Sequence, residues 1–150
     1  MTAIGNIPSI SSWQASLHAD GAAPGWRIGV IGGSGLYDFA GLEDAQEIVV
    51  SSPFGAPSGP VTIGHIGHVG FVFLPRHGKG HAIPPHAIDA RANIDVLKRC
   101  GVTDVLAISA IGSLREQLAP GSFVSVDQFI DRTHGRTDTF FGEGLVAHVS

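Results

Sequence analysis

Four side chains of the 150-residue chain, Ser34, Arg76, His77 and Ser109, are of the types that hold an oxyanion, and each sits in a glycine-rich or strand-ending loop. Ser34 belongs to Gly32-Gly33-Ser34-Gly35, directly after the apolar run Arg27-Ile28-Gly29-Val30-Ile31. Glycines let successive backbone amides face one concavity, and the serine adds a hydroxyl donor. A tight turn without a ligand is the competing reading. The spacing departs from three familiar loops: Asp38 stands where a dinucleotide loop has its third glycine, no lysine follows as in a nucleotide-triphosphate loop, and Leu36 breaks a nucleophile elbow.

Arg76 and His77 lie in Pro75-Arg76-His77-Gly78-Lys79-Gly80-His81, at the end of the apolar run Val69 to Leu74. Arginine presents a planar fork that matches two phosphate oxygens, and a neighbouring histidine adds a donor. A solvated turn is one alternative, and metal binding by His77, His81 and His86 is the other. It needs a helix to bring His77 and His81 to one face, which Gly78 and Gly80 oppose, and the adjacent Arg76 and Lys79 repel a cation. Ser109 opens Ser109-Ala110-Ile111-Gly112-Ser113, a small-residue stretch that lets the backbone approach a flat ligand while the hydroxyl reaches an anion. No catalytic carboxylate accompanies these donors, so the set reads as a phosphate clamp, not a hydrolase triad. Asp89 and Asp95 are expected to be solvated, Asp127 and Asp131 to organise a loop or interface by ion pairing with Arg132, and Cys100 to be a small core residue.

These loops need strands that deliver them to one place. Arg27 to Ile31, Glu47 to Ser51, Pro60 to Ile66 and Val69 to Leu74 have strand character, with a tight hairpin at Gly67-His68. Ile88, Ala92, Val96 and Cys100 recur every fourth residue after Pro84-Pro85, joined by Leu97, and predict an amphipathic helix stopped by Gly101. Val102 to Ser109 is nearly continuously apolar, which predicts a strand covered on both faces. Phe123 to Ile130 is expected as one more strand. Strand, helix and buried strand in that order indicate an α/β fold with a mixed, partly parallel central sheet flanked by helices. In open sheets of this kind ligands bind beyond the carboxyl ends of the strands.

Composition narrows the classes. The chain is 43% hydrophobic and 15% charged, carries 21 glycines and eight histidines, and has a net charge of −4. That balance excludes wholesale disorder and gives no basic footprint for nucleic acid. The longest apolar runs fall well short of the roughly 18 residues of a membrane span. The lone Cys100 excludes an internal disulfide framework and fits a reducing, cytoplasmic setting. Residues 1–25 show no period and read as a flexible leader, and residues 26–150 as the domain proper.

Several motifs together carry a resemblance. Ile31-Gly32-Gly33-Ser34-Gly35-Leu36, Pro53-Phe54-Gly55, Leu74-Pro75-Arg76-His77-Gly78, Arg91-Ala92-Asn93-Ile94, Gly112-Ser113-Leu114-Arg115-Glu116 and Asp127-Gln128-Phe129-Ile130-Asp131-Arg132-Thr133 occur in this order. The stretch from about Arg27 to Ser150 resembles the 5′-methylthioadenosine phosphorylases of the trimeric purine nucleoside phosphorylase family. The resemblance implies the amino-terminal part of a single phosphorylase domain, incomplete at its C-terminus. It implies phosphorolysis of 5′-methylthioadenosine, giving adenine and 5-methylthioribose 1-phosphate, with inorganic phosphate as co-substrate and no metal or organic cofactor. Ser34, Arg76, His77, Ser109 and the Ala110 amide then correspond to the phosphate site, and Ala110, Ile111 and Gly112 to the platform beside purine and ribose. His148 corresponds to a histidine that reaches across the interface of a homotrimer toward the neighbour's 5′-substituent pocket. A purine-protonating aspartate is expected beyond Ser150, so the 150-residue chain alone is expected to be inactive. A purine nucleoside phosphorylase for 6-oxopurines and a non-catalytic phosphate- or nucleoside-binding fragment are the alternatives.

Overall fold

A computed structural model describes residues 25–33 and 41–148. Ser34 and nearly all of the expected leader lie outside the described residues. Five strands form one mixed sheet: β1 (Arg27–Gly32), β2 (Glu43–Ile48), β3 (Val61–Ile66), β4 (Val69–Pro75) and β5 (Asp104–Ala107), in the order β2-β3-β4-β1-β5. β2, β3 and β4 run antiparallel in turn, whereas β4, β1 and β5 are mutually parallel. The hairpin expected at Gly67-His68 joins β3 to β4, with Val69 opposite Ile66.

The single α-helix among the described residues, α1 (Ala90–Arg99), follows Pro84-Pro85 as its periodicity predicts. Its ends are specified by side-chain and backbone chemistry. Asp89 caps the amino end, its carboxylate accepting from the Ala92 amide at 3.1 Å, so it is a structural acceptor and not the freely solvated acid expected. At the other end the amides of Gly101 and Val102 return to the carbonyls of Lys98 and Leu97, which satisfies orphan acceptors. Glycine is required at 101: φ is +76°, and a Cβ would run into the Arg27 guanidinium.

Alternation in the strands sends one set of side chains toward α1. Ile63 and Val72 are cross-strand partners, and with Ile48, Val61, Leu74, Val96, Leu97 and Cys100 they make a contiguous buried core. Cys100 is fully buried there, as expected, and burial pushes its thiol up to about 11. Asp95 departs from the solvated reading too. Arg99 one turn later donates to it at 2.6 Å, and this bond holds the carboxyl below its ordinary range.

Three strand expectations need correction. β2 ends at Ile48 instead of spanning Glu47 to Ser51, because an edge strand needs only one buried contact; Ile48 supplies it, and a register irregularity follows Glu43. The run Val102 to Ser109 yields only the four-residue β5, which is exposed throughout, with Val105 and Leu106 each 52% accessible. Among the described residues it lies at the sheet edge with β1 as its one neighbour, so its apolar side chains meet no second layer there. Phe123 to Ile130 forms no strand, since among the described residues it has no strand to pair with, and Phe123 is fully exposed. Asp131 also differs from expectation: it accepts from the Thr133 amide at 2.8 Å, closing a local turn instead of an ion pair.

Candidate anion-binding site

The parallel strands bring the ends of β1, β4 and β5 to one edge. Gly32, the last residue of β1, is in register with Pro75 at the end of β4, and Ile31 with Ala107 at the end of β5. Hydrogen bonds continue the registry past the strands: the Arg76 amide donates to Gly32 at 3.3 Å and the Ile108 amide to Ile31 at 2.8 Å. Gly33 after β1, the Arg76-His77 loop after β4 and the Ser109 loop after β5 therefore start side by side at the sheet edge.

Arg76 reaches across this edge. Its Nη1 donates to the Ser109 hydroxyl at 2.7 Å and to the Ile108 carbonyl at 3.3 Å, joining two predicted residues 33 positions apart. Among the described residues no carboxylate pairs with Arg76, so its positive charge is not neutralised by a protein acid. A guanidinium and a hydroxyl in contact, both accessible, are suited to an oxyanion that takes one hydrogen bond from each.

His77 is held at the same loop. Its Nδ1 lies 2.9 Å from the Ile83 carbonyl, which can only accept, so Nδ1 carries the proton and Nε2 is the nitrogen left for a ligand. The His81 ring stacks on it, with centroids 4.8 Å apart and planes 15° from parallel. The turn that follows is irregular; Gly80 and His81 both have positive φ. That geometry differs from the helical spacing two metal ligands four residues apart require, and among the described residues no group of three metal-binding side chains is assembled.

Ala110, Ile111 and Gly112 continue from Ser109 as exposed backbone without regular structure. Ile111 and Gly112 line one end of an open cavity of about 890 Å³, whose other walls come from the 113–124 stretch. His148 is exposed and is joined to this edge by no hydrogen bond among the described residues. Thus the structure brings Arg76 to Ser109, with His77 next to Arg76 and Ala110 next to Ser109 in the chain, shows no hydrogen bond among the described residues from His148 to this edge, and does not describe Ser34.

Two participants escape the sequence reading. Ser58 and Asn93 are buried, at 7% and 4% exposure, and hydrogen-bonded to each other, and the Ser58 hydroxyl donates to the Arg76 carbonyl. The available signal was Asn93 itself, a polar residue one position after Ala92 and four before Leu97 on the apolar side of α1. A buried amide demands partners. Its partner Ser58, in Pro57-Ser58-Gly59-Pro60, carries no signal of its own.

Among the described residues no helix is long and apolar enough to cross a membrane. Comparison with known proteins is specific. A sequence model of the phosphorylase superfamily matches residues 27–150. The S-methyl-5′-thioadenosine phosphorylase of Bradyrhizobium diazoefficiens is 59% identical over 123 residues, covering 82% of this chain and 42% of that protein. The enzyme of the same name from Saccharolobus solfataricus is 54% identical, covering 82% of this chain and 46% of its own length. Among solved structures, a methylthioadenosine phosphorylase from an antarctic soil metagenomic library superposes with a TM-score of 0.77 at 44% identity, over 84% of this chain and 44% of that one. The Schistosoma mansoni methylthioadenosine phosphorylase in complex with adenine gives 0.72 at 47% identity, over 79% and 43%. The chain thus spans less than half the length of these relatives, and it belongs to the phosphorylase superfamily.

Proposed function

We propose that this chain carries the phosphate-binding part of a 5′-methylthioadenosine phosphorylase. The observation that supports this most is the 2.7 Å contact between Arg76 and Ser109 at the carboxyl edge of three parallel strands, with His77 alongside. In this reading Ser34, Arg76, His77, Ser109 and the Ala110 amide hold phosphate. Ala110, Ile111 and Gly112 offer backbone to the nucleoside, and His148 serves a neighbouring subunit's 5′-substituent pocket in a cytoplasmic homotrimer. Inorganic phosphate is the co-substrate, and no metal or organic cofactor takes part.

The chemistry follows from charge. Breaking the glycosidic bond leaves positive charge on the sugar, and a phosphate anion fixed beneath the anomeric carbon stabilises it while standing ready to attack. Arg76 and Ser109 orient the anion through fixed donors. With Nδ1–H committed to Ile83, a neutral His77 takes a proton-bearing phosphate oxygen on Nε2, and a protonated one donates to the dianion. No covalent enzyme intermediate is needed. The test joins this chain to the remaining length of the Bradyrhizobium relative and assays methylthioadenosine with and without phosphate. Adenine release that requires phosphate is expected; equal release without phosphate contradicts the reading.

A further inference from the structure

Arg76 makes its contact with Ser109 from a backbone tied on both sides. Its amide donates to Gly32 of β1. Its carbonyl accepts from the Ser58 hydroxyl at 2.8 Å, and Ser58 is locked to Asn93 of α1 twice: the Ser58 amide donates to Asn93 Oδ1 at 2.8 Å, and Asn93 Nδ2 donates to Ser58 Oγ at 2.9 Å. The directions are forced. The Arg76 carbonyl can only accept, so the hydroxyl gives it its proton and keeps lone pairs for the amide of Asn93. That fixes which end of the Asn93 amide faces the Ser58 backbone. Every member of this buried network then has a partner, which is the condition under which such a network rigidifies its surroundings.

The same turn braces the next residues of the loop. Gly78 has φ of +70°, and a Cβ there would come within 2.9 Å of the Ser58 carbonyl. Packing alone would be served by an apolar residue at position 93, between the buried Ala92 and Val96. What the amide adds is a rigid link from α1 to the backbone of the residue that meets Ser109.

We infer that Ser58 and Asn93 are positioning residues of the anion site, fixing the Arg76 backbone so that its guanidinium meets Ser109 before a ligand arrives. The inference rests on the phosphate-site reading above and deepens it. Neither residue touches the anion; both act through Arg76. Loss of the Ser58 hydroxyl leaves the Arg76 carbonyl and Asn93 Nδ2 buried without partners and frees the loop to drift.

The test titrates the full 150-residue chain with inorganic phosphate by calorimetry, well below its unfolding temperature, for the parent, Arg76→Ala, Ser58→Ala and Val96→Ala. Val96 is buried in the same helix outside the network, so its truncation reports general loosening. Ser58→Ala is expected to weaken phosphate about tenfold, the effect of one hydrogen bond, and Val96→Ala by less than about twofold. Parent-like affinity in Ser58→Ala, with binding lost in Arg76→Ala, overturns the inference and leaves the phosphate reading standing. Equal weakening in Ser58→Ala and Val96→Ala overturns it as well. A parent chain that binds no phosphate removes the reading and the inference together. Two milder variants keep the test open if Ser58→Ala is too unstable: Ser58→Thr, which retains the donor, should bind as the parent does, and the isosteric Asn93→Asp about tenfold more weakly. The reverse order contradicts the network.

Discussion

Residues 61–102 and residues 104–148 have similar apolar content and opposite fates. In the first stretch β3, β4 and α1 bury Ile63, Val72, Leu97 and Cys100 almost completely. In the second, β5 is the only regular element, and Leu114, Phe123, Phe129 and Ile130 stand largely exposed. The difference lies in partners. β4 has a strand on each side and a helix on its face, whereas among the described residues β5 has one strand beside it, with Val105 and Leu106 exposed. Apolar composition specifies a strand only where another element receives its side chains.

The largest expected effect that sharpens this contrast is a truncation in each region. Ile63→Ala should cost about 2–5 kcal/mol in a denaturant titration, the range for a cavity in a packed core. Phe123→Ala should leave the midpoint unchanged, and a comparable loss from both would erase the distinction. Next in size is the thiol of Cys100. Its pKa rises from 9.0 to about 11 through burial, with the Arg27 charge pulling the other way. A raised value means the native state keeps the proton longer, so this contribution is full below about pH 9 and is lost as pH climbs through 11. The span is about 2–3 kcal/mol. Denaturant midpoints between pH 8 and 11 should fall accordingly, and the same series in Cys100→Ala should lack that component of the slope.

Capping gives a smaller effect. Asp89→Ala should cost about 1 kcal/mol, read from thermal unfolding, because the Ala92 amide loses its acceptor. The smallest change belongs to the exposed region. The Thr133 amide holds the Asp131 carboxyl below its ordinary range, so that turn persists above the ordinary carboxylate pKa and opens as the pH falls through the lowered value. The protection factor of the Thr133 amide, its exchange relative to the intrinsic rate at each pH, should fall in acid with no shift in global unfolding, and a shift in both would mean that this segment is part of the core.

The same contrast governs what the sequence makes legible. Local, self-contained signals are readable: the period of α1, its stop at Gly101 and the Gly67-His68 hairpin each depend on neighbours a few residues away. Features that depend on distant partners are not. β5 and the 123–130 run look buried because the sequence cannot say what packs on them. Asp89 looks solvated because its acceptor role is set by the exact start of α1. Ser58 looks like any turn serine, and only its bonds to Asn93, 35 residues away, give it a role. The meeting of Arg76 with Ser109 is legible for the opposite reason, since strand ends in a parallel sheet converge whatever lies around them.

The central claim is that these strand ends form a phosphate site, and the measurement that tests it most directly is an NMR titration of the chain with inorganic phosphate. Saturable shifts confined to the Arg76 Nε–H, the His77 ring and the amides of Ser109 and Ala110, abolished in Arg76→Ala, are the predicted result. Shifts spread over Arg115, Arg132 and Arg136, or unchanged in Arg76→Ala, would contradict it.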